Sequence, residues 1–125
     1  MIKFIYIGIG GAIGSMLRYY FSISIDNHLK SVFPFGILFV NLLGAFLIGF
    51  LWGISQKHQL SDNNKLFLFT GLLGGFTTFS TFALDNIKLM QMGKEEFLFH
   101  NIILSNLLAL VFVYIGFYIA RFFNK

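Results

Sequence analysis

The sequence contains no cysteine, and only 11% of its 125 residues are charged. The absence of cysteine excludes disulfides, thiolate catalysis and thiolate metal sites. A soluble domain carries about 25% charged residues, so this chain has too little polar surface to face water. Long runs of basic residues are also missing, so we expect no nucleic-acid partner. With 57% hydrophobic residues, the composition indicates an all-α membrane protein embedded in a lipid bilayer.

Four apolar stretches are separated by short polar connectors, and their approximate bounds are residues 4–25, 32–54, 66–92 and 97–121. Each stretch is long enough to cross about 30 Å of hydrocarbon as a helix. A cleaved signal peptide is an alternative interpretation of the first stretch, but Arg18 and the length of the stretch fit a retained helix better. We therefore expect residues 1–125 to form a single domain of four transmembrane helices.

Lysine and arginine are distributed almost evenly between the two sides of the membrane that four alternating helices would define. One side would hold Lys3, Lys57, Lys65, Arg121 and Lys125, and the other Lys30, Lys88 and Lys94, together with Arg18 if its side chain reaches outward. The excess of positive charge that normally fixes the orientation of a membrane protein is therefore weak. We expect the chain to insert in both orientations, so that one subunit can pair with an inverted copy of itself.

The third stretch places two adjacent glycines and four hydroxyl residues at membrane depth, in the sequence GGFTTFSTF from Gly74 to Phe82. Glycine pairs and threonine runs weaken a helix, and a broken backbone at this depth is tolerated only where it is buried in protein or lines a wet cavity. The segment therefore predicts a third helix that is broken near its middle. Carbonyl groups freed at such a break can coordinate a small cation, and freed N–H groups point towards anions.

Polar residues also occur in other apolar stretches. Asn41 lies near the middle of the second, where an interhelical hydrogen bond explains it as well as a functional role does. Asn101 and Ser105 are four residues apart in the fourth and share one helical face, which suggests a polar pathway. Asp85 is the one acidic residue deep enough in the membrane to matter, either as a gate or as a surface charge.

Glycine pairs with a spacing of four residues are typical of close contacts between membrane helices. Three such pairs occur: Gly10 and Gly14, Gly49 and Gly53, and Gly71 and Gly75. The histidines are not clustered, because His28 and His58 are expected in loops and His100 near a membrane surface, so a shared metal site is not expected. No nucleophile is accompanied by a base and an orienting group, so we expect no enzyme.

The segments Gly10–Tyr19, Gly36–Gly49 and Gly74–Phe82 occur in the order found in the Fluc fluoride channels, also called CrcB proteins, and the chain closely resembles that family over nearly its whole length. The resemblance implies a passive channel that exports cytoplasmic fluoride across the plasma (inner) membrane of a bacterium. It also implies an antiparallel homodimer of four-helix subunits, with two fluoride pores and a sodium ion at the dimer centre.

The resemblance further assigns residues to the two kinds of ion site. The fluoride pore would be lined by Asn41, Phe79, Phe82, Ser80, Thr81 and Ser105. The sodium ion would be held by the backbone carbonyls of Gly74 and Thr77, and Arg18 and Asp85 would lie at a vestibule or gate. The chain departs from the family pattern at Asp85, where a glutamate is expected, and at Ala109, where a hydroxyl is often found.

Fluoride is small and strongly hydrated, so a pore must replace its water with donors such as Asn amides and hydroxyls. Aromatic rings presented edge-on add weakly positive poles without a charge that would trap the anion. By their spacing alone, Phe79 and Phe82 are more readily explained as packing residues, and it is the resemblance that favours the pore. Two alternatives to a channel are a small dual-topology multidrug exporter, which would want a membrane-embedded carboxylate, and a non-conducting assembly subunit, which would leave the hydroxyl run unexplained.

Overall fold

The computed structural model describes residues 1–124, and within that range it contains helices and connecting turns but no β-strand. Lys125, one of the residues counted in the charge comparison, lies outside the described residues. The elements are α1 (Ile2–Leu29), α2 (Phe35–Ser55), α3 (Asp62–Lys65), a π-helix (Leu66–Leu73), α4 (Gly74–Phe76), α5 (Phe79–Gln91) and α6 (Glu95–Phe123). The predicted all-α class is confirmed, because about 85% of the residues are helical.

Among the described residues, three helices are long and apolar enough to cross a membrane. They are α2, the interrupted helix Asp62–Gln91, which contains α3, the π-helix, α4 and α5, and finally α6. Helix α1 has 28 residues but is less apolar than α2 and α6, and it includes Lys3, Arg18 and Asp26. The chain is therefore a multi-pass membrane protein.

Helix α1 continues further than the apolar pattern predicts. Asp26 and His28 lie in its last turns, so the first stretch extends beyond its predicted end at residue 25, and the loop position expected for His28 was wrong. The helix ends at Leu29. The next residue, Lys30, has a left-handed backbone (φ 50°) and donates its N–H to the carbonyl of Asp26 at 2.8 Å. The Asp26 carboxylate accepts a hydrogen bond from Gly36 N at 2.9 Å. This acidic side chain therefore belongs to the junction between α1 and the N-terminus of α2, where a negative charge is favourable.

The backbone of the interrupted helix becomes extended at Thr77 and Thr78, immediately before α5. Gly74 and Gly75, by contrast, are helical. A Cβ atom at Gly75 would lie 2.6 Å from the carbonyl oxygen of Gly11, so this glycine permits close contact with α1. The break therefore occurs at the two β-branched residues, which favour extended backbone, and not at the glycine pair.

The glycine pairs lie where helices approach each other most closely. Gly10 and Gly14 of α1 face the backbone of the π-helix and α4, and a Cβ atom at Gly14 would clash with the carbonyl of Leu72. Gly49 on α2 faces the backbone of Val113 on α6 in the same way. We call these contacts the glycine seams. They hold α1 against the first half of the interrupted helix and α2 against α6, as the glycine spacing predicted.

Candidate functional site

Thr78 forms the N-terminal cap of α5 and is only 7% exposed. Its Oγ1 accepts a hydrogen bond from the backbone N–H of Thr81 at 3.1 Å and lies 3.0 Å from the Thr81 hydroxyl, to which it donates. Threonine is a preferred capping residue because its hydroxyl satisfies an N–H group that has no partner within the helix. The hydroxyl run at membrane depth thus begins a new helix directly after the break.

The side chain of Asn41 on α2 stabilises the break by hydrogen bonds to the backbone of Thr78. Its Nδ2 donates to the carbonyl of Thr78 at 3.0 Å, and its Oδ1 accepts from the N–H of Thr78 at 2.8 Å. One amide therefore satisfies both backbone groups of an extended residue that would otherwise be buried without partners. An Asn amide nitrogen carries two N–H groups, and no described residue accepts the second one.

Two backbone donors are diverted from their usual acceptors by this arrangement. In a continuous helix the N–H of Thr78 would bond to the carbonyl of Gly74, and that of Thr81 to the carbonyl of Thr77. Here the first donates to Asn41 and the second to the Thr78 hydroxyl. The carbonyls of Gly74 and Thr77 therefore lose their usual helical donors at membrane depth, and these are the two carbonyls that the resemblance assigns to sodium.

A cavity of about 350 Å³ opens beside the break. It is lined by Asn41, Thr77, Thr78, Phe79, Phe82, Ser105, Asn106, Ala109 and Leu110. Four of the six predicted pore residues are thus brought together from three helices. No charged side chain lines this cavity. The polar side chains in its lining are amides and hydroxyls.

The two predicted pore rings differ in their surroundings. Phe82 is 8% exposed, whereas Phe79 is 76% exposed and lies at the open side of the cavity. Their ring centroids are 5.5 Å apart and the ring planes are inclined by 44°, so the rings are not stacked. Both rings line the cavity, and their inclination excludes a parallel stack between them.

Ser80 and Thr81 do not belong to the cavity lining. The Ser80 hydroxyl is exposed and lies 3.4 Å from the Thr78 hydroxyl, and Thr81 takes part in the cap of α5. Both side chains therefore support the start of α5. Their pore role stays a prediction.

The polar stripe of α6 forms hydrogen bonds along its length. The Ser105 hydroxyl donates to Oδ1 of Asn101 at 3.2 Å, and Nδ2 of Asn101 donates to Oδ1 of Asn86 on α5 at 2.9 Å. Asn101 is only 2% exposed, whereas Ser105 lines the cavity. Ala109 lies one turn further along the same lining, so the missing hydroxyl there shortens the polar stripe inside the cavity.

A second cavity of about 260 Å³ shares Asn41 and Thr77 with the first and is also lined by Gly74. The carbonyls of Gly74 and Thr77 are neutral oxygen ligands of the kind that suit a monovalent cation, because calcium and magnesium usually recruit carboxylates or keep water. The residues present therefore fit a bound sodium ion.

The two residues assigned to a vestibule lie away from these cavities. Arg18 is half-buried on α1 and lines neither of them. Asp85 follows Phe82 by about one turn of α5, and its Oδ2 is buried without a hydrogen-bond donor among the described residues. Their vestibule role stays a prediction.

Three polar residues of this region carried no predicted role of their own: Thr78, Asn86 and Asn106. The cap could have been found, because a threonine directly before an apolar helical segment is typical of a helix start. Asn86 gave a weaker signal, since a polar residue on an amphipathic segment is normally solvated. Its contact with Asn101 depends on how α5 packs against α6.

A cavity lined by amides and hydroxyls at a helix break is typical of membrane channels and transporters, because these proteins place ion sites at interrupted helices. Comparison with known proteins narrows the class. The sequence profile described as "CrcB-like protein, Camphor Resistance (CrcB)" matches residues 5–117. The chain therefore belongs to the CrcB family.

Several relatives cover almost the whole chain. A protein of Parabacteroides distasonis is 50% identical over 93% of this chain and 91% of its own length. One of Campylobacter fetus is 44% identical with the same two coverages, 93% and 91%. One of Helicobacter pylori is 39% identical over 96% of this chain and 94% of its own length. Each of these relatives is named "Fluoride-specific ion channel FluC".

Proposed function

We propose that this protein is a fluoride-specific ion channel, and not an enzyme, that lets fluoride leave the cytoplasm passively across the plasma (inner) membrane. The observation that carries the proposal is the uncharged cavity at the helix break, whose lining combines two amides, hydroxyls and two inclined rings. Family membership and the names of the relatives support the same function.

The cavity chemistry suits a strongly hydrated anion that must also be released. The remaining N–H of Asn41 can replace part of the water around fluoride, and the Ser105 hydroxyl can do so once its proton turns from Asn101 to the cavity. Ring edges of Phe79 and Phe82 turned towards the anion would add weak positive poles. A lysine or arginine in the lining would hold the anion more strongly than conduction allows. A multidrug exporter is less well supported, because the lining has no carboxylate for proton coupling.

Anion release from liposomes that contain only this protein tests the function. We expect fluoride release without chloride release, and slower fluoride release from Phe79→Ile and Phe82→Ile, which keep apolar bulk but remove the ring edge. Phe4→Ile is a matched control, because Phe4 is 74% exposed on α1 and lines no cavity near the break. Equal release of both anions, or wild-type rates from both pore variants, would contradict the proposal.

We also propose four transmembrane helices per subunit, with α1 as the fourth, and an antiparallel homodimer with two pores. The near balance of lysine and arginine supports dual topology, and the 76% exposure of Phe79 leaves one side of the cavity for a second subunit to cover. Lysines added to one loop should fix the insertion, and two oppositely biased variants should conduct better together than apart. Full conduction by each biased variant alone would exclude the inverted dimer.

Sodium at the dimer centre is the third proposal. The carbonyls of Gly74 and Thr77, deprived of their usual helical donors, support it, and an inverted partner would contribute the same two carbonyls to complete four oxygen ligands. In lipid an unsatisfied carbonyl costs several kcal/mol, so a bound cation would stabilise the pair of subunits. Exhaustive replacement of sodium by a large organic cation should reduce dimer stability and fluoride flux. Unchanged stability and flux without sodium would contradict this proposal.

A further inference from the structure

Three side chains form a continuous hydrogen-bond chain from α5 to the cavity. Asn86 on α5 accepts from Asn101, and Asn101 accepts from Ser105, at 2.9 and 3.2 Å respectively. Only Ser105 lines the cavity; Asn101 is 2% exposed and lies behind it. We call these three residues the amide chain.

The direction of these hydrogen bonds decides what Ser105 offers to an anion. In the structure its single proton points to Asn101, so the hydroxyl presents only lone pairs to the cavity, and lone pairs repel an anion. If both amides turn over, Asn86 donates to Asn101 and Asn101 donates to Ser105, with every bond of the amide chain preserved. The proton of Ser105 is then free to donate to an anion in the cavity.

We propose that Asn86 is a positioning residue that acts through Asn101 and sets whether the Ser105 hydroxyl donates to the protein or to fluoride. The inference rests on the proposed function, since it concerns how the same cavity handles its anion. A donor that can be withdrawn binds fluoride during entry and releases it afterwards. This meets the requirement that a conducting site must not retain its ion.

Two substitutions at Asn86 should have opposite effects on the fluoride concentration at half-maximal efflux. Asn86→Leu removes the acceptor, so Asn101 can turn its N–H to Ser105 and free the hydroxyl proton. Fluoride is then held more tightly, and the half-maximal concentration should fall about fivefold, the equivalent of one ordinary hydrogen bond. Asn86→Asp only accepts, so it fixes the observed direction, and the half-maximal concentration should rise.

The decisive comparison repeats both substitutions in a Ser105→Ala background. If Asn86 acts through Ser105, Asn86→Leu should cause no further shift when the hydroxyl is absent, and Asn86→Asp should retain only the effect of its charge. Ser24→Ala is the hydroxyl control, because Ser24 donates to a carbonyl within its own helix and lies outside the cavity. It should leave the half-maximal concentration unchanged.

The outcomes separate this inference from the proposed function. Equal shifts with and without Ser105, or a loss of maximal flux without a change in the half-maximal concentration, would mean that Asn86 only packs, while fluoride conduction by the wild type would stand. Wild-type liposomes that release no fluoride would overturn both the function and the inference. If Asn86→Leu does not yield a folded protein, the Asn86→Asp pair provides the same comparison, because it preserves side-chain shape.

Discussion

The glycine seams and the helix break place opposite demands on side chains: the seams need side chains to be absent, and the break needs them to form hydrogen bonds. At the seams, helices come so close that a Cβ atom at Gly14 or Gly49 would clash with a carbonyl of the facing helix. At the break, the backbone leaves the helix, and side chains of Asn41 and Thr78 supply the hydrogen bonds that the helix would have formed. The seams therefore depend on the absence of side chains at the glycines, and the break depends on the side chains of Asn41 and Thr78.

This contrast shows where polarity is placed in a small membrane protein. The seams are stabilised by close packing, since lipid tails provide no hydrophobic drive for helices to associate. The break concentrates amides and hydroxyls where the backbone itself is polar. Variants at the two regions should therefore lose stability to different extents and for different reasons.

The largest effect is expected for Asn41→Leu. Leucine cannot replace either hydrogen bond to Thr78, so one buried N–H and one buried carbonyl lose their partner. Each such group costs about 1–3 kcal/mol, so folded stability should fall by about 2–6 kcal/mol, and fluoride flux should be lost with it. Thermal unfolding in detergent, followed by size-exclusion chromatography, measures the change.

Asn106→Leu is the matched control for this stability measurement. The Asn106 amide donates to the carbonyl of Ile102 within its own helix at 2.7 Å, and the residue is exposed. Its replacement leaves no buried backbone group without a partner, so unfolding should change little. Equal destabilisation by the two variants would show that Asn41 does not hold the break.

An intermediate effect is expected at the glycine seam of α1. Gly14→Ala adds a methyl group where the carbonyl of Leu72 already lies, and this overpacking should cost about 1–3 kcal/mol. Gly8→Ala adds the same methyl group on the same helix with no atom within 4 Å, so its stability should remain close to the wild type. Equal stability of the two variants would mean that α1 and the π-helix are not in close contact.

Much of the fold follows from the sequence, because a membrane fixes the length of apolar helices. The second stretch was predicted at 32–54 and forms Phe35–Ser55, and the fourth was predicted at 97–121 and forms Glu95–Phe123. The π-helix was not predicted. No amino-acid composition is characteristic of a π-helix, so the sequence could not indicate it. The π-helix packs against the glycines of α1, and this contact exists only in the folded protein.

The candidate site was predictable in composition but not in its hydrogen bonds. Asn41, Phe79, Phe82 and Ser105 were selected through motif resemblance, and the structure places all four around one cavity. The pairing of Asn41 with Thr78 spans 37 residues, and periodicity within one helix cannot supply a contact between two. The sequence predicted a break caused by the glycine pair and the threonine run together. In the structure the threonines are extended, whereas Gly75 permits the contact with α1.

Of the three test variants, the smallest effect should come from Thr78→Val, which tests the cap of α5 separately from the two hydrogen bonds between Asn41 and Thr78. We call these two hydrogen bonds the Asn41 clamp. Valine keeps the β-branched shape that favours extended backbone and retains the N–H and carbonyl that bond to Asn41. It removes only the hydroxyl that accepts from Thr81 N. Loss of an N-terminal cap costs about 1 kcal/mol, so the melting temperature should fall slightly while the Asn41 clamp persists.

Ser61→Ala provides the comparison, because Ser61 caps α3 by accepting from Asn64 N at 3.2 Å in an exposed position. Water can satisfy the freed N–H there but not at membrane depth, so Thr78→Val should be the more destabilising of the two. The Asn41→Leu/Thr78→Val double variant should lose less than the sum of the single losses, since residues in one hydrogen-bond network are coupled. Strict additivity would show that the cap and the Asn41 clamp stabilise the break independently.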